Sequence, residues 1–155
     1  MKPVIFLRIA SILALVHSIL HTIGGVFGKP PAGTATMVAA TMRLTFPVLG
    51  AMRSYADFYR GMGLAVTIFL TMDAAILWLL ASLSKSDAVR LRPVLAVFLL
   101  GYLALALNSF TFFFSGPVIA EILIVGCVAA AIVTAKSADN LAVQASQTRL
   151  ETAQF

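Results

Sequence analysis

The chain has 155 residues, of which 61% are hydrophobic and 11% are charged, and its formal net charge is +5. Soluble domains carry about 25% charged residues, so this composition excludes an ordinary water-soluble globule. The basic residues are scattered at the ends of apolar runs and form no continuous basic face, which argues against nucleic acid as a partner.

The first predicted membrane span covers about residues 4–26. About 20 apolar residues are needed to cross the ~30 Å core of a bilayer, and this run supplies them. Arg8 and two histidines interrupt the run and no small-residue cleavage site follows, so we expect a retained helix rather than a signal peptide. A cluster of glycines followed by Pro30 and Pro31 ends the span.

Residues 29–60 form the longest connection in the chain. In its first half, apolar residues recur at helical spacing: Met37, Ala40, Leu44 and Val48. This pattern predicts a short amphipathic segment that lies on the membrane surface or over the mouth of the bundle. Ser54 followed by Asp57 resembles a capping box and predicts the start of the next helix, with Asp in place of the usual Glu.

Three further spans are predicted at about residues 62–83, 94–110 and 117–134. Residues 1–136 are therefore expected to form an all-α bundle of four transmembrane helices with a short amphipathic segment in its first external loop. Residues 137–155 are expected to form a polar cytoplasmic tail. The side that holds both ends and the 84–93 turn carries more Lys and Arg than the other side, which predicts cytoplasmic termini.

Polar residues interrupt these apolar runs. An ionisable group in hydrocarbon needs a partner and is a candidate functional residue. With a rise of ~1.5 Å per helical residue, the polar residues of the predicted spans lie at depths that range from the external surface to the midplane of the bilayer. We expect them to line one pocket in the external half of the bundle: His17, His21, Asp73, Asn108 and Glu121. A segment of the external loop is expected to cap the pocket through Arg53, Asp57 and Tyr59.

Several kinds of chemistry remain open for this pocket. A metal site at His17, His21 and Glu121 is one, because histidines at i and i+4 share a helix face, although the paired Glu-x-x-His pattern is missing. Haem is disfavoured, since both histidines lie on one helix. A histidine and a carboxylate can act as acid and base, or can hold the polar head of a quinone or isoprenoid. The same groups can also serve only as interhelical hydrogen bonds.

Two stretches of the chain resemble a known family. Residues 21–24, His-Thr-Ile-Gly, and residues 53–64, RSYADFYRGMGL, are similar to motifs of a family of small, uncharacterised bacterial membrane proteins with four helices, which is DoxX-like in size and layout. The resemblance covers about residues 3–135. Ala56 stands where the family has tryptophan, and Leu20 stands where it has glycine. The resemblance implies a linked cluster at the outer face: His21, Arg53, Asp57, Tyr59, Gly61 and Gly63.

The sequence therefore predicts a small inner-membrane protein that acts as an accessory subunit or binds a small hydrophobic ligand such as a quinone or isoprenoid. One alternative is a membrane enzyme that uses a His–carboxylate pair on a lipid-like substrate, and another is a protein that handles metal ions or protons. Whether the protein is an enzyme, and which cofactor it would use, stay open. Its expected partners are the lipid bilayer and either a second membrane protein or the ligand itself.

Overall fold

A computed structural model describes residues 2–135 of the chain. It contains five α-helices, one π-helical segment and one β-hairpin. In chain order these are α1 (Lys2–Leu20), the π-helical segment (His21–Val26), α2 (Thr34–Thr41), β1 (Thr45–Val48), β2 (Ala51–Ser54), α3 (Tyr55–Asp87), α4 (Arg92–Phe112) and α5 (Ser115–Thr134). The predicted cytoplasmic tail lies outside the described residues.

Four of the helical stretches are long and apolar enough to cross a membrane, judged by their length and composition: Lys2–Val26, Tyr55–Asp87, Arg92–Phe112 and Ser115–Thr134. The all-α prediction is confirmed for the described residues, in which helices dominate. The helix that contains the second predicted span begins earlier than the span, at Tyr55, because the capping residues Ser54 and Asp57 set its first turn.

The β-hairpin in the long connection was not predicted. Its strands pair antiparallel, with Phe46 opposite Arg53, and the turn between them has positive φ at Leu49 (46°) and Gly50 (86°). Positive φ at both central residues defines the turn that best matches the twist of a two-residue hairpin, and glycine adopts it without strain. Each strand has only four residues and β1 contains Pro47, so the local pattern carries little strand signal.

The described residues divide into two compact units. Unit 1 comprises residues 2–14 and 73–135, and unit 2 comprises residues 15–72, so α1 and α3 each contribute to both. In unit 1, α4 and α5 pack against each other and are joined by only Phe113 and Phe114, which makes them an αα-hairpin. The Arg92 guanidinium at the start of α4 donates a hydrogen bond to the Ala135 carbonyl just beyond α5, at 3.1 Å.

In unit 2 the start of α3 is held by a complete capping box. The backbone N–H of Ser54 donates to Asp57 Oδ2 at 2.9 Å, and the backbone N–H of Asp57 donates to Ser54 Oγ at 3.2 Å. The prediction that Ser54 and Asp57 form the capping box at the start of this helix is thus confirmed. A further backbone hydrogen bond, from Ala56 N–H to the Met42 carbonyl at 2.9 Å, ties the first turn of α3 to the end of α2.

Candidate functional site

The most deeply buried acidic group in the described chain belongs to a cluster in unit 1, which we call the carboxyl cluster: Asp73, Tyr102, Ser109 and Glu121. Glu121 is 1% exposed, and Ser109 Oγ donates a hydrogen bond to its Oε1 at 2.9 Å. Glu121 Oε2 has no hydrogen-bond partner among residues 2–135. One oxygen of this carboxyl group is therefore hydrogen-bonded to α4, and the other oxygen has no partner among the described residues.

Tyr102 brings a second unpaired group to the carboxyl cluster. Its side chain is 3% exposed, and its hydroxyl has no hydrogen-bond partner within the described part of the chain. The half-buried Asp73 carboxyl faces this hydroxyl, although the two groups do not reach hydrogen-bond geometry, and the Glu121 carboxyl lies within electrostatic range. Burial of an unpaired polar group costs about 1–3 kcal/mol, so the cluster holds unused hydrogen-bonding capacity.

Helix geometry explains why these residues meet. Tyr102 and Ser109 are seven residues apart, close to two full turns, so they share one face of α4. The short link between α4 and α5 turns the chain back, and Glu121 on the second turn of α5 then lies beside Ser109 near the end of α4. Neither Tyr102 nor Ser109 was predicted. The sequence does contain a signal for them, because both are polar residues on one face of the helix that precedes the short link to α5.

Asn108 is a predicted pocket residue of unit 1 that does not join the carboxyl cluster. Its side chain is exposed, whereas that of its neighbour Ser109 is buried and bonded to Glu121. One residue along a helix turns the side chain by about 100°, so adjacent polar residues cannot both face the same neighbour.

The two predicted histidines lie in unit 2 and have different surroundings. His17 is 8% exposed, and its Nδ1 has no hydrogen-bond partner among the residues described. His21 opens the π-helical segment, and its Nε2 lies 3.1 Å from the Gly63 carbonyl oxygen, to which it donates when the proton is on Nε2.

Beside the histidines, hydroxyl groups connect α1 and the π-helical segment to α3 in unit 2. Ser18 Oγ lies 2.9 Å from Thr71 Oγ1, and Thr22 Oγ1 lies 2.9 Å from Thr67 Oγ1. We call these four residues the hydroxyl ladder. The hydroxyl ladder was not predicted, although hydroxyls four residues apart on both stretches mark the contact face.

The three predicted cap residues do not act alike. Asp57 is engaged with Ser54 in the capping box, and Arg53 donates to the carbonyl of its own neighbour Met52 at 3.0 Å. The Tyr59 hydroxyl makes a long contact of 3.5 Å with the Gly25 carbonyl oxygen in the π-helical segment. Tyr59 therefore contacts the π-helical segment. Gly63 contacts the same segment through His21. The Arg53 side chain is exposed.

Unit 1 contains a further polar contact that sequence reasoning missed. The Arg8 guanidinium lies over the ring of Trp78, with its carbon 4.8 Å from the ring centroid. The face of an indole attracts a cation, so this contact places the charge of α1 against an aromatic surface of α3. The available signal was a basic and an aromatic residue within two predicted spans.

The predicted pocket residues fall into two groups that the structure defines separately: Asp73, Asn108 and Glu121 in unit 1, and His17, His21, Arg53, Asp57 and Tyr59 in unit 2. Within residues 2–135 no group of three or more His, Cys, Asp or Glu side chains is placed to hold a metal ion. The metal alternative is therefore left without a ligand set in that part of the chain.

Comparisons with protein-family models, with curated proteins and with solved structures found no match.

Proposed function

We propose that this chain is an integral protein of a bacterial inner membrane, with four spanning helices, that binds the polar head of a small lipid-soluble molecule at the carboxyl cluster. One observation carries the proposal. Glu121 Oε2 and the Tyr102 hydroxyl are buried on neighbouring helices, and both lack a hydrogen-bond partner among the described residues. Buried polar groups in native proteins are nearly always paired, and the polar head of a ligand would supply the missing partner.

The chemistry of the two groups suits an oxygen-bearing head. A phenol hydroxyl donates a hydrogen bond, and a carboxyl oxygen accepts one or, when protonated, donates one. The carbonyl of a quinone or the hydroxyl of an isoprenoid alcohol can pair with either group. Such hydrogen bonds are stronger in the low dielectric of a protein interior than in water, which favours a ligand with one polar end.

Access from the lipid is consistent with the surfaces of α4 and α5. Both helices carry exposed large apolar side chains, including Leu103 and Leu107 on α4 and Ile122 and Leu123 on α5. A molecule dissolved in the hydrocarbon meets these surfaces before it meets water. Ligand sites between helices of a bundle commonly combine such apolar walls with a few polar groups.

The proposed location and orientation rest on the sequence. The excess of Lys and Arg on the side of both ends favours cytoplasmic termini, and the resemblance to DoxX-like proteins agrees with a small membrane protein of this layout. Some DoxX-like proteins accompany quinone-linked oxidoreductases, which makes an accessory role compatible with ligand binding at the carboxyl cluster.

The proposal is tested by extracting the protein from membranes in a mild detergent and identifying bound organic molecules by mass spectrometry. We expect one lipid-soluble species at near-stoichiometric amount in the wild type and its loss in Tyr102→Phe and in Glu121→Gln. Both substitutions keep the side-chain volume, and Gln keeps an oxygen that accepts from Ser109.

Asn108→Ala is the matched control, because Asn108 is exposed one residue away from Ser109. This variant should retain the bound species. A wild-type protein that carries no such species, or variants that are monodisperse and retain it fully, would contradict ligand binding at the carboxyl cluster.

A further inference from the structure

One face of α2 lines an apolar groove in unit 2. Thr34, Met37, Val38 and Thr41 follow the i, i+3, i+4, i+7 spacing of one helix face, and together with Met42 and Tyr55 they line a cavity of about 310 Å³. The surface of this groove is almost wholly apolar. A groove of this size can take a stretch of hydrocarbon chain.

The connection that carries the groove is rich in exposed cations. Residues 27–60, which we call the insertion, contain four basic residues, all exposed: Lys29, Arg43, Arg53 and Arg60. The acidic residue of the insertion, Asp57, is engaged by Ser54 in the capping box. Within residues 2–135 the ion pair found is Arg90–Asp87, outside the insertion, so none of these four cations forms an ion pair there, and Arg53 and Arg60 interact with the Asp57 carboxylate only at longer range.

Two of the cations belong to segments that contribute residues to the groove. Arg43 follows Met42, a groove residue, directly in the chain. Arg53 lies opposite Phe46 in the hairpin, and the Phe46 ring packs on the ring of Tyr55, another groove residue, with centroids 5.0 Å apart. The segments that build this open apolar surface therefore also carry exposed basic side chains.

We propose that the insertion docks onto anionic phospholipids of the bilayer surface, with acyl-chain carbon in the groove and phosphate at Arg43 and Arg53. The charge is complementary, because each basic residue near a surface of anionic lipids contributes about 1 kcal/mol of attraction. The position also fits, since Tyr55 both lines the groove and begins a helix that is long and apolar enough to span the bilayer. Arginine forms paired hydrogen bonds with phosphate oxygens, and these bonds add directional specificity to the electrostatic attraction.

This inference rests on the membrane location proposed above and is independent of the carboxyl cluster. The test uses the full chain in lipid nanodiscs at one copy per disc. In a Cys127→Ser background, Met37→Cys carries an environment-sensitive fluorophore inside the groove. Thr36→Cys carries the same fluorophore on the opposite face of α2 as the matched control.

In discs that contain phosphatidylglycerol, we expect emission from the Met37→Cys probe to shift to shorter wavelength and to rise several-fold relative to discs of phosphatidylcholine alone. High salt, or the double substitution Arg43→Gln and Arg53→Gln, should remove most of that shift. The Thr36→Cys probe should emit at the same wavelength in both kinds of disc.

Equal emission from the Met37→Cys probe in both lipids, or a shift that survives removal of the two arginines, overturns the proposal. A shift that appears only with two copies per disc assigns the groove to a second chain and also overturns it. A chain that does not enter nanodiscs contradicts the membrane location as well, whereas an inserted chain without the lipid-dependent shift contradicts the docking alone.

Discussion

At Gly63, the first half of α3 approaches the π-helical segment so closely that a side chain does not fit. A Cβ at this position would lie 2.9 Å from Val26 Cγ2, and the Gly63 carbonyl oxygen is the atom beside His21 Nε2. Val26 is β-branched and stiff about its first torsion angle, so it cannot easily move aside. The missing Cβ thus allows the contact that positions His21.

We therefore expect Gly63→Ala to lower the unfolding free energy by about 1–3 kcal/mol, as overpacking does. Thermal unfolding in mild detergent measures the change. Gly61→Ala is the matched control, because a Cβ at Gly61 would meet nothing within 4 Å and alanine favours a helix by up to ~1 kcal/mol. Restoration of stability by an added Val26→Ala substitution would identify the clash as the cause, and equal melting temperatures for both glycine variants would contradict it.

At the scale of elements, α1 with its π-helical extension and α3 are joined in unit 2 through the hydroxyl ladder. Hydroxyl groups can bond to a carbonyl of their own helix and also to a neighbouring helix, as Thr22 does with the Ser18 carbonyl oxygen and with Thr67. Helices in lipid gain little from burying apolar surface, so small side chains and hydrogen bonds define which faces meet.

A double-mutant cycle on Thr22→Val and Thr67→Val tests the hydroxyl ladder. We expect a coupling energy of about 0.6–1.7 kcal/mol in the unfolding free energy, the range found for hydrogen bonds between membrane helices. The control cycle pairs Thr22→Val with Thr111→Val, whose hydroxyl bonds within its own helix. That pair should be additive within ~0.5 kcal/mol, and similar coupling in both cycles would argue against a specific ladder.

The N-terminal cap of α3 is a second feature at the scale of elements. Ser54 is 4% exposed and supplies the oxygen that accepts from Asp57 N–H, so Ser54→Ala should cost about 0.5–2 kcal/mol. Hydrogen exchange should accelerate at the amides of residues 55–58 while the middle of α3 stays protected.

Two control variants separate the cap from general effects of substitution. Asp57→Glu converts the site to the usual capping box and should keep the wild-type protection. Ser82→Ala removes an exposed hydroxyl within α3 and should leave exchange at residues 55–58 unchanged. Unaltered exchange in Ser54→Ala would show that the cap is not what holds this end of the helix.

At the scale of the whole molecule, the described chain buries mainly small and medium side chains and exposes many large apolar ones. Several alanines are fully or almost fully buried, while residues such as Leu20, Phe69, Leu100 and Phe110 are exposed. A soluble protein avoids large apolar patches on its surface. The pattern is typical of helices that pack through small residues and face lipid with large ones.

The proposed orientation predicts which parts of the chain are reached from outside the cell. In a Cys127→Ser background, Thr36→Cys lies in the insertion, and Ser86→Cys lies at the exposed end of α3. A membrane-impermeant maleimide should label Thr36→Cys in intact spheroplasts and Ser86→Cys only after lysis, because the Lys- and Arg-rich side faces the cytoplasm. The reverse labelling would invert the orientation, and labelling of both from one side would mean that α3 does not span the membrane.

Much of the helical framework could be predicted from the sequence, because the properties that define it are local. The number of long apolar helices follows from runs of about 20 residues, and the start of α3 follows from Ser54 and Asp57 three positions apart. The hairpin was not predictable in the same way, because four-residue strands with a proline carry a weak local signal and depend on pairing with each other.

The partners of the polar residues depended on packing. Glu121 could be singled out as an ionisable group in an apolar run, but its contact with Ser109 rather than Asn108 depends on how α4 is rotated against α5. Composition and spacing act along one chain segment at a time, whereas a contact between helices depends on their relative rotation and offset. A turn of about 100° per residue exchanges one neighbour for another without any change in hydrophobic pattern, so that choice is made only when the helices pack.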